Sequence, residues 1–230
     1  MTEFAWSQNA LYHGLLIRQR PRPCRHVLDV GCGAGEFAAE LARRAERVDA
    51  LDRSPEMIDR ARATVPENVT CLLDDVLERQ LPDAEYDAIV SVTALHHLPL
   101  EDALPVLARA LRPGGVLAAV ALPRYDPREL PLEVAAALGH RFLAVVFLVL
   151  RKLTGDRWFA AADDPAMPVV LDPPLTTREA RRVAESVLPG VRVRRVLFWR
   201  YFLLWHKPSD EAGSDPTARE RSDRRSEPGV

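Results

Sequence analysis

Residues 26–37, His-Val-Leu-Asp-Val-Gly-Cys-Gly-Ala-Gly-Glu-Phe, constrain the fold of this chain more than any other stretch. Val27, Leu28 and Val30 suit a strand buried on both faces. Glycines at 31, 33 and 35 permit a sharp turn and close backbone approach to a ligand. Phe37, Leu41 and Ala45 then recur at helical spacing, with Glu36 in the first turn where an acid suits the helix dipole. Strand, glycine turn and helix at the carboxyl end of a first parallel strand is where open α/β sheets bind nucleotides.

Charge narrows the choice of nucleotide. A dinucleotide oxidoreductase requires G-x-G-x-x-G with no competing negative charge beside the pyrophosphate. Here the spacing is G-x-G-x-G and Asp29 stands at the strand end, where it would repel a pyrophosphate and attract a cation. S-adenosylmethionine carries an ammonium and a sulfonium and no phosphate, so it fits this loop better.

Residues 27–37 resemble the first motif of the class I S-adenosylmethionine-dependent methyltransferases, and four later stretches agree in order and spacing. Residues 48–57 resemble that family's second strand, whose terminal acid, here Asp52, accepts both ribose hydroxyls. Asp74-Asp75-Val76 resembles the end of the third strand, where Asp75 would meet the adenine amino group. Residues 86–98 resemble the fourth strand and its turn, and 111–117 the turn into the fifth. The resemblance covers residues 27–122 well and the ends loosely. It implies a Rossmann-like three-layer α/β sandwich with a seven-stranded, mostly parallel sheet and one antiparallel strand. It also implies a helical cap inserted before the last two strands. The cofactor-binding residues it implies are Tyr12, Asp29, Gly31, Cys32, Gly33, Gly35, Asp52, Arg53, Met57, Asp75, Val76, Thr93 and His97.

A leading helix over residues 5–19 ends at Arg20-Pro21-Arg22-Pro23. Tyr12 and His13 on it either line the site or pack at the sheet edge, His13 half exposed. Ser54 and Pro55 predict the start of a helix whose apolar face is Met57, Ile58 and Ala61. Strands are expected over 68–73 and 86–92, a helix over 101–110, and a strand over 116–122.

His96 and His97 follow the fourth strand, where the transferred methyl should point. As neighbours on a turn they face different ways and do not make a paired metal site; one packs and one faces the pocket. Histidine suits proton removal near neutral pH, so His96 is the candidate general base. The alternative is that both only shape the pocket through hydrogen bonds.

Residues 132–153 read as a long helix with an apolar stretch at 142–150, too short to span a bilayer and bracketed by Arg141, Arg151 and Lys152. This helix and the proline-rich 154–177 form the expected acceptor-side cover over about 123–177, with Leu143, Phe147 and Trp158 as its apolar contacts. Thr177 is the expected cap of a helix over 178–188. Two strands over 191–197 and 199–206 close the sheet, with Trp199, Tyr201 and Trp205 on its face.

The chain has 230 residues and a net charge of −2, enough for one well-cored domain (1–206) and without an electrostatic footprint for nucleic acid. Residues 207–230 are charged and poor in large apolar side chains, as in a disordered tail. Three cysteines without ligand spacing, and a start lacking a basic and apolar leader, predict a cytoplasmic protein without membrane insertion. The expected activity is methyl transfer to a small molecule on oxygen, nitrogen or carbon, with oligomeric state left open. The same fold can bind S-adenosylmethionine without transferring methyl, or less consistently serve a nicotinamide oxidoreductase.

Overall fold

The computed structural model describes residues 8–154 and 173–209. Strand β1 (His26–Val30) lies at the sheet centre, between β2 (Arg47–Asp52) and β4 (Tyr86–Val92), and is parallel to both. With β3 (Val69–Leu73), β5 (Leu111–Ala121), β6 (Arg192–Val196) and β7 (Arg200–His206) the sheet has seven strands in the order β3-β2-β1-β4-β5-β7-β6. Among the described residues β7 alone runs antiparallel to its neighbours, β5 and β6.

Strand alternation sorts the core into two layers. Val27, Val48, Ala88 and Val90 meet Leu16, Phe37, Leu41 and Ile58 from helices α1 (Gln8–Ile17), α2 (Glu36–Ala42) and α3 (Pro55–Thr64). Leu28, Val30, Ile89 and Leu117 face the opposite way, onto Leu104, Leu107, Ala180 and Ala184 of α4 (Leu100–Ala110) and α6 (Thr177–Val187). Every residue of β1 is buried, as the apolar run demands.

Several local readings shift by a residue or more. The α6 cap is Thr176 and not Thr177. Its hydroxyl accepts from the Glu179 amide while the Glu179 carboxylate accepts from the Thr176 amide. Only Thr176 has a glutamate three residues on, so only it can close this reciprocal pair. Trp199 lies in the β6–β7 turn at φ 54, off the strand, while Tyr201 and Trp205 are buried on it.

His13 is buried, not half exposed. Its Nδ1 lies 3.1 Å from Glu40 and its ring stacks 4.4 Å from Phe37. Lys207, expected to begin the tail, is tied to the fold. Its amide donates to the Gly115 carbonyl at 2.9 Å, and its Nζ donates to the carbonyls of Ala108 and Leu111 at the end of α4.

Helix α5 (Leu130–Thr154) departs most from expectation. Expected as an acceptor-side cover, it instead carries Val134, Leu138, Phe142, Val145, Val149 and Leu153 as an exposed stripe at helical spacing. Leu143 and Ala144 pack on Phe198 of the β6–β7 turn. Trp158 and the Phe147 side chain lie outside the described residues. Among the described residues no helix is long and apolar enough to cross a membrane.

Candidate active site

A cavity of about 430 Å³ opens at the carboxyl ends of β1, β2 and β4, the size expected of a small-molecule site. The glycine loop forms its floor. Gly31 has φ 74, and a β-carbon there would lie 2.1 Å from that of Ala94, so this position excludes any side chain. The Gly33 amide donates to Asp52 Oδ2 at 2.9 Å, and the Ser54 amide donates to Oδ1 at the same distance. Each Asp52 oxygen thus holds one backbone donor and keeps lone pairs for further hydrogen bonds.

The end of β3 supplies a second acid. Asp74 is engaged by Arg79 at 2.9 Å, whereas Asp75, among the described residues, holds the Leu77 amide alone on Oδ1. Both acids border the cavity with Val76, and Arg53 and Met57 stand on the β2 side.

On the β4 side, Thr93 sits at φ 53 with its amide donating to the Val120 carbonyl at 2.7 Å. A β-branched residue in the left-handed region is strained, and such strain collects at functional sites. His96 and His97 both border the cavity, their ring centroids 4.2 Å apart. The expectation that one packs while the other faces the pocket therefore gives way: both rings of the 3₁₀ turn over Leu95–His97 border the cavity, tilted against each other.

His96 is only 6 % exposed and its Nδ1 has no hydrogen-bond partner. Burial, with the nearby charges of His97 and Arg200, pushes its pKa down to about 4. A neutral imidazole of that acidity is a good hydrogen-bonding group and a weak general base. Burial, then the charge of Arg53, also lowers His97, with Asp52 opposing.

Four expected residues do not border the cavity. Gly35 starts α2 at φ 84, where a β-carbon would fall 2.7 Å from Val65 and 3.0 Å from Ala61, so this glycine serves helix packing. Cys32 is buried with its thiol directed to the Gly33 carbonyl at 3.6 Å, and burial pushes its pKa up. Tyr12 is buried and donates to the Leu197 carbonyl. Asp29 is 1 % exposed with Oδ2 unpartnered, and burial followed by the charge of Asp52 raises its pKa to about 8. At neutral pH its carboxyl holds a proton that a neighbouring cation would displace.

Sequence reasoning missed Leu122 and Arg200, which border the same cavity. Arg200 starts the antiparallel β7, and the pairing Ala121↔Tyr201 brings it to the end of β5. The one available signal was a basic residue opening an otherwise apolar and aromatic strand.

A doubly covered α/β sheet with a cavity over the carboxyl end of its first strand, floored by glycines and flanked by acids from the next two, defines a nucleoside-binding Rossmann-like domain. A family model described as a methyltransferase domain matches residues 27–115. An uncharacterized methyltransferase of Mycobacterium tuberculosis (strain ATCC 25618 / H37Rv) is 34% identical over 209 residues, covering 88% of this chain and 98% of that one. The chain belongs to the class I S-adenosylmethionine-dependent methyltransferases. A 2-methyl-6-phytyl-1,4-hydroquinone methyltransferase of Synechocystis is 34% identical over 115 residues, 48% of this chain and 36% of that one. The DhpI–SAH complex shares the fold, with a TM-score of 0.57 and 22% identity over 87% of this chain and 85% of that one. S-adenosylmethionine is the cofactor, and the nicotinamide alternative is set aside.

Proposed function

We propose that this methyltransferase acts on a small molecule, and that the acids at the ends of β2 and β3 hold the cofactor while the β4–β5–β7 end holds the acceptor. The observation that carries this reading is the Asp52 carboxylate, fixed by the Gly33 and Ser54 amides at the cavity edge with lone pairs to spare. Asp52 accepts the ribose hydroxyls and Asp75 the adenine amino group. Gly31 and Gly33 allow the close backbone approach that the cofactor needs.

When bound, S-adenosylmethionine supplies a methyl on a sulfonium, an activated leaving group. The chain's own residues have to align the acceptor and exclude water. His96 orients the acceptor through a hydrogen bond.

The cavity size and the apolar Val92, Leu98 and Leu122 support a small acceptor over a polymer. The hydroquinone named for the Synechocystis relative is of that kind. The free thiols of Cys24, Cys32 and Cys71 support a cytoplasmic setting. The test is a screen of small molecules with methyl-labelled cofactor. Label passing to one or more of them is expected; label passing only to protein or nucleic acid contradicts the reading.

A further inference from the structure

The exposed apolar side chains of the described residues gather in one place. Apart from Leu73, every large one lies on α5, at Tyr125 just before it, or on the β6–β7 turn against which α5 packs. Apolar exposure concentrated in this way marks a surface that meets something other than water.

The shape of the stripe limits what that can be. Val134, Leu138, Phe142, Val145, Val149 and Leu153 follow at intervals of 4, 4, 3, 4 and 4, a repeat of eleven. At the usual ~3.6 residues per turn they fall within an arc of about 100° and extend about 28 Å along the helix. A repeat of eleven runs nearly straight along a helix, whereas a left-handed coiled coil requires a repeat of seven. Leu143 and Ala144, which seat α5 on Phe198, project from the opposite side, so the stripe points away from the body of the fold.

Charge decides among the occupants. By sequence α5 has one acid, Glu133, against Arg141, Arg151 and Lys152, in a chain of net charge −2. Arg141 is exposed and adjoins Phe142 near the middle of the stripe. A second copy centred on this face, in either direction, would set its own Arg141 close to this one, with no acid of α5 within two helical turns to compensate. An anionic lipid surface offers acyl chains to the stripe and phosphates to the cations at once. The exposed rings of Tyr125 and Trp199 are of the amphipathic kind that settles at headgroup level. Among the described residues no helix is long and apolar enough to cross a membrane, so α5 would lie on the bilayer and not span it.

We infer that α5 docks the protein on an anionic lipid surface, lying in the plane of the interface with its apolar stripe immersed and Arg141 among the headgroups. Leu122 borders the cavity and α5 begins eight residues later at Leu130, a reach of at most roughly 29 Å of extended chain. Docking therefore holds the cavity close to the lipid.

The experiment sediments the full chain with sucrose-loaded vesicles, either of phosphatidylcholine alone or with roughly a third of it replaced by phosphatidylglycerol. Saturable binding to the mixed vesicles is expected, and weaker binding to the neutral ones. Phe142→Glu and Val149→Glu, both at exposed positions, should each weaken binding at least about tenfold with the circular dichroism spectrum unchanged. Arg141→Gln should weaken it about fivefold on mixed vesicles and leave binding to neutral ones as it was.

No binding by the parent chain, equal binding to neutral and anionic vesicles, or binding untouched by both glutamate substitutions each overturns the inference. The parent alone decides the first two, so a poorly folded variant does not block the test. Analytical ultracentrifugation without lipid adds one more outcome. The oligomeric state should be the same in the parent and Phe142→Glu; a dimer that this substitution dissociates assigns the stripe to a second copy and overturns the lipid surface.

Discussion

Gly31 and Ala94 touch across the two loops that carry the site. A β-carbon on Gly31 would fall 2.1 Å from the β-carbon of Ala94. The turn after β1 and the turn after β4 are thus packed backbone to side chain, and a change in one displaces the other.

Gly31→Ala should therefore lose cofactor binding and cost stability by about 2 kcal/mol or more, combining backbone strain at φ 74 with the clash. Adding Ala94→Gly should recover the steric part and leave the backbone part. Gly114→Ala, at φ 76 with nothing within 4 Å, isolates the backbone cost. Urea denaturation of the set checks this; equal losses in Gly31→Ala and Gly114→Ala would remove the role of contact.

How much could be read without coordinates depends on how local each feature is. The strand, glycine loop and helix of residues 26–37, and the acids ending β2 and β3, follow from short-range pattern. Gly31 and Gly33 of that loop, and Asp52 and Asp75, whose roles the family resemblance implied, all border the cavity. Gly35 looked the same in sequence, but its purpose is set by Ala61 of the neighbouring helix α3 and Val65 at that helix's end. Arg200 became visible only with the antiparallel register of β7 against β5, which no local pattern encodes. The exposed stripe of α5 was hidden because periodicity marks an apolar face without stating whether anything covers it.

Asp29 predicts an unusual pH dependence. Its folded pKa of about 8 lies above the roughly 4 of an unfolded aspartate. The stability linked to its proton is complete below the unfolded value and is lost as pH rises through the folded one. The cofactor-free protein should melt at progressively lower temperature from pH 5 to 9 on this account, and Asp29→Asn should flatten that slope. Thermal denaturation at closely spaced pH values provides the check, and an unchanged slope in the variant would mean that Asp29 titrates normally.

A polar network at the opposite end of the sheet sets the acid limit. The Tyr86 hydroxyl donates to Asp49 Oδ2 at 2.9 Å, and His26 Nε2 lies 3.1 Å from the same oxygen. Burial alone would raise Asp49, but the contacts from His26 and Tyr86 outweigh it and hold its carboxyl below the usual range. That contribution is present above the unfolded value near 4 and disappears as pH falls through the lower folded value. Tyr86→Phe leaves the buried Asp49 short of a donor and should cost about 1.5–3 kcal/mol near neutral pH. It should also move acid unfolding to higher pH, as circular dichroism during acid titration would show.

Asp52 tests the cofactor site most directly. Asp52→Ala removes a charged acceptor held between two loop amides, and should weaken S-adenosylhomocysteine binding by about 1.5–3 kcal/mol. The decisive measurement is a calorimetric titration of S-adenosylhomocysteine into the parent protein and the Asp52→Ala variant under identical conditions, with folding of both confirmed by circular dichroism. The predicted result is saturable binding by the parent and about 10- to 150-fold weaker binding by the folded variant. Equal affinity for the two proteins would contradict the account, because the ribose would then lie elsewhere than at the end of β2.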